Sequence, residues 1–403
     1  MRFNRTLVVG ASCALGFAAA MGSTPAFADY GPGPGDYVGV GSDTVQNIMN
    51  FVADGSPNGL GVNAATGVNK VVSFDATPDE NDRAGFLPPS QGSGALTPTV
   101  ILRAGKSPVQ RPNGSGAGVS ALISDYTNSP RSIDFARSSS VSAITSRATA
   151  AKPLHAIRIA TDDIVMAANA GTTNVPTAAG IAGTDLVKIY NCTITDWHTL
   201  NPSAPVGSTI IPVYPQTGSG TGSTFLADLT LINGGTFSYG SCAQQSEEND
   251  PAAIANNLNK QNVIAPFSSG RVDLYNTGYF HNPTDAFPTA NPITPNIQLL
   301  YTGQTADACT APAAAQTAPY CRTRGLYLAW RSTDDTSTTG FQPGATRNYV
   351  QFLFAKTNGT TQTPYVNTTA GKGLIADGGV TPAYLDCGVT TGSAFSAATG
   401  CTS

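Results

Sequence analysis

The sequence predicts an α/β fold with room for two domains, and two observations lead to this prediction. A short apolar strand, a glycine-rich turn and an amphipathic helix follow one another several times along the chain, which is the typical order of an α/β protein. About 375 of the 403 residues remain after a predicted N-terminal leader, a length that accommodates two domains.

The leader spans residues 1–28 and has the pattern of an export signal. Arg2 and Arg5 precede an apolar stretch from Leu7 to about Ala20, and Ala26-Phe27-Ala28 supplies the small-x-small cleavage pattern. An uncleaved membrane anchor is the alternative, but the apolar stretch is shorter than the ~20 residues that a span needs. We therefore expect the mature chain to begin near Asp29 and to be secreted or extracytoplasmic.

Six cysteines follow the leader, and an even number in an oxidising compartment favours disulfides. Fifteen pairings are possible for six cysteines. Proximity along the chain favours Cys192–Cys242, Cys309–Cys321 and Cys387–Cys401. A zinc site is the competing interpretation. The chain has no Cys-x-x-Cys pair and only three histidines, His155, His198 and His281, so we predict no metal and no cofactor.

Charge excludes one class of function. Only 11% of the residues are charged and the net charge is −4, so the chain offers no basic surface for nucleic acid. A protein of this composition that binds an anion must do so locally, with dipoles and a few well-placed donors.

The first strand–turn–helix unit lies directly after the Gly/Pro-rich segment 31–35. Residues 38–40 form a short apolar strand, which residues 41–44 interrupt. A helix then places Val45, Ile48, Met49 and Val52 on one face. Ser42 or Asp43 is the expected N-cap of this helix.

The same pattern occurs twice more. Residues 100–102 are strand-like, and residues 111–118 form a glycine-rich loop that leads into a helix. Residues 210–214 form another strand, which ends in the loop 217–223 before the next helix.

Other strands are expected at the centre of the protein. Residues 132–136 form one short strand, and residues 156–160 and 163–168 fit a segment that passes from one lobe to the other. Residues 325–330 fit the return crossing, and a helix is expected over 348–354 in the first lobe.

The glycine-rich loops have the chemistry of an anion site. A helix N-terminus presents unpaired N–H groups and a partial positive charge, glycine lets the backbone approach a ligand, and Ser or Thr adds a hydroxyl donor. Ser219-Gly220-Thr221 and Ser115-Gly116 both fit this description. Three such loops in one strand–loop–helix context predict an oxyanion site.

Asp134 would give such a site selectivity. A carboxylate beside a bound anion repels it unless the anion has a proton to donate, so Asp134 would favour phosphate over sulfate. The alternative is that Asp134 caps a turn or pairs with Arg137.

Several of these motifs occur in the order found in the phosphate-binding proteins of ABC importers. The resemblance spans roughly residues 38–354 and is greatest to the secreted, phosphate-binding-like proteins of actinobacteria. The matching segments are 41–44, 114–116, 133–136, 185–190, 194–197 and 218–221.

The resemblance implies a type 2 periplasmic binding protein fold, with a hinge crossed by two strands. One lobe would comprise residues 36–155 plus 325–403, and the other residues 156–324. It also implies a monomer that binds phosphate in the interlobe cleft and delivers it to an ABC permease, without enzymatic activity. The implied ligand-binding residues are Thr44, Ser115, Asp134, Ser219, Gly220 and Thr221.

One position departs from the family pattern. Pro215 stands where the family usually places an arginine, four residues before the serine of the Ser-Gly-Thr motif. Arg137 is the expected replacement, and Arg111 is the second candidate.

Two other functions are considered. A phosphoester hydrolase would need a nucleophilic serine with a histidine base, but there is no Gly-x-Ser-x-Gly motif and the histidines have no companion motif. A secreted surface or matrix protein that keeps the fold without transport is the other alternative.

Overall fold

The structure is a computed structural model that describes residues 31–65, 69–76, 99–171, 173–176, 180–280, 294–300, 309, 312–392, 394–396 and 401. The predicted signal peptide, residues 1–28, and His281 lie outside the described residues. No helix in the described ranges is long and apolar enough to cross a membrane.

Strands and helices alternate along the chain. The strands are β1 Tyr37–Gly41, β2 Gly55–Ser56, β3 Gly59–Leu60, β4 Val71–Ser73, β5 Thr99–Val100, β6 Val109–Gln110, β7 Phe135–Ser138, β8 Leu154–Asn169, β9 Ile211–Pro215, β10 Gln244–Ser246, β11 Val263–Ser268, β12 Ile297–Leu299, β13 Cys321–Arg331 and β14 Thr381–Thr390. The helices are α1 Asp43–Asp54, α2 Val62–Ala65, α3 Ser115–Ser124, α4 Val141–Thr145, α5 Gly183–Tyr190, α6 Gly220–Ile232, α7 Ala252–Ala255, α8 Ser269–Asn276, α9 Tyr349–Leu353 and α10 Thr369–Asp377.

A sheet of ten strands runs through both lobes of the protein. Its order is β10-β9-β11-β8-β13-β7-β1-β4, and β12 and β14 also pair with β8. We call the part built on β1, β4 and β7 the first lobe, and the part built on β9, β10 and β11 the second lobe. The strands within each of these sets are parallel.

Two long strands connect the lobes. β8 pairs with β13 over residues 154–165 and with β11 over residues 164–167, while β13 also pairs with β7. The two-lobed α/β fold with two crossing strands is therefore confirmed. The predicted strands 156–160 and 163–168 form one strand because Thr161 and Asp162 stay paired, with Gly325 and Arg324. The lobe boundaries 36–155 plus 325–403 and 156–324 stay a prediction.

Each lobe has a hydrophobic core on both faces of its part of the sheet. In the first lobe, the face against α1 buries Val45, Ile48 and Met49, and α8 and α9 pack against the same core. The opposite face packs against α3. In the second lobe, α5 and α6 cover one face, with Trp197 and Phe225 fully buried, and a smaller cluster covers the other face.

The helix beginnings follow the glycine-rich loops. Ser42 precedes α1 as its N-cap. The helix after the second loop begins at Ser115, earlier than expected, so the glycines of residues 116 and 118 lie inside it. Gly118 fits there because its Cα packs directly on the backbone of Gly41, at a distance that leaves no room for a Cβ.

The three predicted disulfides are confirmed. Cys192 is bonded to Cys242, Cys309 to Cys321 and Cys387 to Cys401. The first lies in the second lobe beside α5, the second anchors the beginning of β13, and the third ties the C-terminal segment to β14.

Candidate functional site

The glycine-rich loops of the two lobes contact each other across the cleft. The Gly116 amide donates to the Gly218 carbonyl at 3.0 Å. Gly114 and Gly218 both have positive φ, +91° and +93°, and a Cβ on Gly114 would lie 2.5 Å from the Gly218 carbonyl oxygen. Glycine at position 114 therefore permits an approach of the two backbones that any side chain there would prevent.

Two helices point their N-termini into this cleft from opposite lobes. Thr44 is the second residue of α1, and Thr221 is the second residue of α6. Ser219 is the N-cap of α6, and its hydroxyl accepts from the Gly222 amide at 2.9 Å. Both N-termini place a partial positive charge and amide donors at the same location.

The carboxylate of Glu248 occupies the point where these N-termini meet. Its Oε1 accepts from Thr44 Oγ1 at 3.0 Å, from the Thr221 amide at 3.2 Å and from Thr221 Oγ1. Glu248 lies between β10 and α7 and is 2% exposed. Its Oε2 is buried and has no hydrogen-bond partner among the described residues.

Arg324, on the crossing strand β13, fixes the direction of both hydroxyls. Its guanidinium donates to Thr221 Oγ1 at 2.6 Å and to Thr44 Oγ1 at 3.2 Å. Since each hydroxyl accepts from Arg324, its single proton is available for Glu248. Arg324 is held in turn by Asp162, to which its Nη2 donates at 2.9 Å. We call Thr44, Thr221, Glu248 and Arg324 the Glu248 cluster.

A second ion pair lies beside the Glu248 cluster. Arg271 of α8 donates to Asp43 at 2.7 Å, and Asn249 donates to Asp43 at 3.0 Å and to Thr44 Oγ1 at 3.2 Å. Each of the two arginines thus has its own aspartate. Glu248 has no ion-pair partner among the described residues, because both of these arginines already pair with an aspartate.

Glu247 also lies between the lobes. It accepts from Asn113 and from Gln216, each at 2.8 Å. Burial raises the pKa of Glu247 to about 7, against the lowering effect of the Asn113 hydrogen bond, and the nearby Asp43 and Glu248 carboxylates raise it further. Near neutral pH this group is therefore partly protonated, which limits the negative charge of the cleft.

A cluster of hydroxyls completes the cleft on the side of α3. Ser115 Oγ accepts from the Ser139 amide at 2.9 Å and lies 3.2 Å from Ser139 Oγ, which also accepts from Ser42 Oγ at 3.3 Å. A Cβ on Gly220 would lie 2.1 Å from Ser139 Oγ and 2.4 Å from Ser115 Oγ. Glycine at position 220 is therefore required for the lobes to close against these hydroxyls.

A groove of about 480 Å³ opens next to the cleft. Its lining includes Arg147, Ser219 and two stacked tyrosines, Tyr214 and Tyr239. The Glu248 cluster does not line this groove, and Thr221 is fully buried. The groove thus reaches the edge of the α6 loop but not the Glu248 cluster.

The structure brings together five of the predicted ligand-binding residues. Thr44, Ser219, Gly220 and Thr221 lie at the two helix N-termini around Glu248, and Ser115 lies beside Gly220. Their role as ligand-binding residues stays a prediction.

Asp134 does not belong to this group, which corrects the sequence-based assignment. It precedes β7, accepts from the Val38 amide at 2.8 Å and pairs with Arg103 at 2.9 Å. The cleft lies at the other end of β7, where Ser139 follows the strand, about 16 Å further along an extended chain. Ser139, and not Asp134, is therefore the residue that β7 delivers to the cleft.

Neither proposed arginine reaches the cluster. Arg137 is fully buried under the α1 loop, where it donates to the Gly41 carbonyl at 3.0 Å and to Ser73 Oγ at 2.8 Å. Arg111 donates to the Asp75 carbonyl at 3.0 Å. Pro215 ends β9 and contributes no donor side chain. The guanidinium at the cluster belongs instead to Arg324, from an element far away in the sequence.

Sequence reasoning missed Glu248 and Arg324. A signal existed for Arg324, because Arg322 and Arg324 are two residues apart in a long strand and therefore point to the same face. Asp162, inside the other crossing strand, is its register partner. Glu248 carried no comparable signal, because it lies in a short irregular segment after an edge strand.

The family of the protein follows from a comparison of the sequence with family models. The model described as the PBP superfamily domain, for periplasmic binding proteins, matches residues 100–357, which is more than half of the chain. The chain therefore belongs to the PBP superfamily, in agreement with its two lobes and its crossing strands. A search of curated protein sequences returns no match.

Solved structures with a similar fold include the following three. One is an ABC-type phosphate transport receptor from Vibrio cholerae, with 14% identity, a TM-score of 0.44 and coverage of 86% of this chain and 99% of the other. Another is a human phosphate binding apolipoprotein, with 13% identity, a TM-score of 0.47 and coverage of 86% and 91%. A third is PstS from Borrelia burgdorferi, with 13% identity, a TM-score of 0.38 and coverage of 86% and 98%. Likenesses at this level support no argument about the ligand.

Proposed function

We propose that this protein captures inorganic phosphate, or a similar protonated oxyanion, in the cleft between its lobes. One observation carries the proposal. Donors from α1 and α6 converge on a single carboxylate oxygen, and Arg324 of β13 orients their hydroxyls, so the cleft already binds an oxyanion group that belongs to the chain itself.

The donor set suits a small oxyanion. It contains two hydroxyls oriented by one guanidinium, a backbone amide and the N-termini of two helices. These groups come from both lobes and from a crossing strand, so a ligand bound to them would favour the closed arrangement.

The surroundings favour an anion that has a proton. Asp43 lies next to the cluster, and a carboxylate so close repels a fully ionised anion such as sulfate. A protonated phosphate can donate to it instead. This takes over the selective role that the sequence assigned to Asp134.

The transport role, the location and the oligomeric state are part of the proposal. We propose that the mature protein acts as an extracytoplasmic monomer, that it delivers its ligand to an ABC permease and that it has no catalytic activity. Two features also support a second candidate, a secreted surface protein that keeps the fold without transport. The cleft is filled by the carboxylate of Glu248, and Pro215 stands where the family usually places an arginine.

Calorimetric titration of the mature protein with phosphate, arsenate and sulfate near pH 7 tests the first proposal. We expect heat from phosphate and arsenate and little from sulfate. Binding of none of the three anions would reject solute capture and leave the second candidate.

A further inference from the structure

We propose that Glu248 is a built-in ligand of the oxyanion site, and that an external anion binds only by displacing its carboxylate. This inference rests on the proposed function, because it concerns the same donors. It assigns to Glu248 a role in setting the affinity of the site.

The hydrogen bonds show that Glu248 and an external anion would need the same protons. Thr44 and Thr221 each have one hydroxyl proton, and acceptance from Arg324 leaves that proton for the cluster centre. Both protons, together with the Thr221 amide, are already used by Glu248 Oε1. A phosphate oxygen therefore cannot reach these donors while the carboxylate stays in place.

The position of Glu248 is not explained by a structural ion pair. Asp162 and Asp43 already pair with Arg324 and Arg271. Glu248 Oε2 is buried without a hydrogen-bond partner among the described residues, which is costly for a carboxylate. This cost is relieved when the carboxylate leaves the cluster, which favours its exchange for an external anion.

The carboxylate can leave without unfolding the segment that carries it. The Glu248 amide donates to Gln216 Oε1 at 2.7 Å, which fixes the backbone in the second lobe. Withdrawal of the carboxylate from Thr44 and Thr221 then takes rotation about the side-chain bonds while this hydrogen bond holds the backbone.

A different role would have Glu248 accept a proton from a bound phosphate. In that case the ligand would lie between Glu248 and the threonine hydroxyls. The structure instead has direct hydrogen bonds from both hydroxyls to the carboxylate. The two roles predict opposite effects of removing the carboxylate, which makes them separable.

The test compares the mature wild-type protein with Glu248→Ala, Glu248→Gln and the control Asp134→Asn, which removes a buried carboxylate outside the cleft. Phosphate affinity is measured by calorimetry, and melting temperature is measured with and without added phosphate or formate. We expect Glu248→Ala to bind phosphate on the order of 100-fold more tightly than the wild type, because a competing like charge is removed. Formate should raise the melting temperature of Glu248→Ala by restoring the lost carboxylate, and should not raise that of the wild type or of Asp134→Asn, which keeps the volume of the side chain.

The outcomes separate this inference from the proposed function. Phosphate binding that is equal or weaker in Glu248→Ala than in the wild type would overturn the inference and leave phosphate capture in place. Stabilisation of Glu248→Ala by formate, with no phosphate binding by any variant, would support the built-in ligand and reject phosphate capture. No response of any variant to either anion would reject both.

The isosteric variant covers the case in which Glu248→Ala does not fold. Glu248→Gln keeps the volume and removes the charge, so we expect phosphate to bind about 10-fold more tightly than to the wild type. Equal or weaker binding by Glu248→Gln would overturn the inference.

Discussion

Two clusters of charged groups contain residues of the crossing strands of this protein, and the two clusters differ in how their hydrogen bonds are used. In the Glu248 cluster, three donors point at one carboxylate oxygen while the other oxygen has no partner among the described residues. The second cluster, which we call the His155 cluster, consists of His155, Asp335 and Asp386. There Nδ1 lies 2.7 Å from Asp335 and Nε2 lies 2.8 Å from Asp386.

The difference separates a structural cluster from a candidate binding site. Every ring nitrogen of the His155 cluster has its own carboxylate, and Trp330 stacks on the ring at 4.6 Å. Both ring nitrogens are therefore occupied by carboxylates of the chain, and neither is left for a ligand. The donors of the Glu248 cluster are arranged independently of Glu248, because Asp162 holds Arg324. An external anion can therefore take its place.

Removal of Arg324 should have the largest effect. Arg324→Ala leaves Asp162 buried without its guanidinium and leaves both threonine hydroxyls without the donor that orients them. Breaking a buried ion pair in this way typically costs about 3–5 kcal/mol. We expect a loss of that size in the free energy of unfolding, measured with urea, together with loss of phosphate binding measured by calorimetry.

Arg322→Ala is the control for this prediction. Arg322 lies on the same strand and is also buried, but its ion-pair partner is Asp228 at 3.8 Å, away from the cluster. It should lower stability and leave phosphate affinity unchanged. Equal losses of affinity in the two variants would contradict the special role of Arg324.

Alkaline pH should weaken the His155 cluster next. Burial alone lowers the pKa of His155, but the hydrogen bonds to Asp335 and Asp386 outweigh it and raise the pKa to about 9. Because the folded state holds this proton more tightly than the unfolded state, the stabilisation is complete below the unfolded pKa of about 6.5 and is lost as pH rises through about 9. We expect a loss of about 1–3 kcal/mol across this window, since Asp386 is partly exposed.

His155→Gln tests the origin of that pH dependence. Urea unfolding of both proteins between pH 6.5 and 9.5 gives the difference directly. The variant should be less stable at pH 6.5 and should show a flatter profile. If the variant reproduces the wild-type profile, the pH dependence of stability comes from groups other than His155.

Asp134→Asn should have the smallest effect, because Asp134 belongs to neither cluster. Arg103, its partner, keeps the backbone carbonyls of Gly33 and Asp36 as acceptors, and the asparagine can still accept from the Val38 amide. We expect a loss of about 1–2 kcal/mol in the free energy of unfolding and no change in phosphate affinity. A selective loss of phosphate over sulfate would return Asp134 to the ligand site.

The local features of the site could be predicted from the sequence. Strand, glycine turn and helix start follow one another within a few residues, so the hydroxyls of Thr44, Ser115 and Thr221 were placed at helix N-termini by local pattern alone. The disulfides were also predictable, because each joins the nearest cysteines in the chain.

The central charges of the site could not be predicted, because they depend on which distant elements meet. Arg324 reaches Thr44 and Thr221 only because β13 lies beside β8 at the crossing. Asp134 was misassigned because a motif gives the order of residues but not the end of the strand at which each side chain lies. Asp134 and Ser139 flank β7 and therefore lie at opposite ends of the strand.

The pairing of β7 and β8 with strands from late in the chain has a consequence for folding. β7, in the first lobe, pairs on one side with β1 and on the other with β13, which follows it by almost two hundred residues. β14 closes on β8 from the end of the chain. The first lobe therefore lacks its central neighbour until most of the polypeptide has been made, and a fragment that ends before Cys321 would leave β7 as an open edge. Pairing between strands so far apart in the sequence predicts slow folding. It also predicts that truncation from the C-terminus damages the first lobe, although most of that lobe lies early in the sequence.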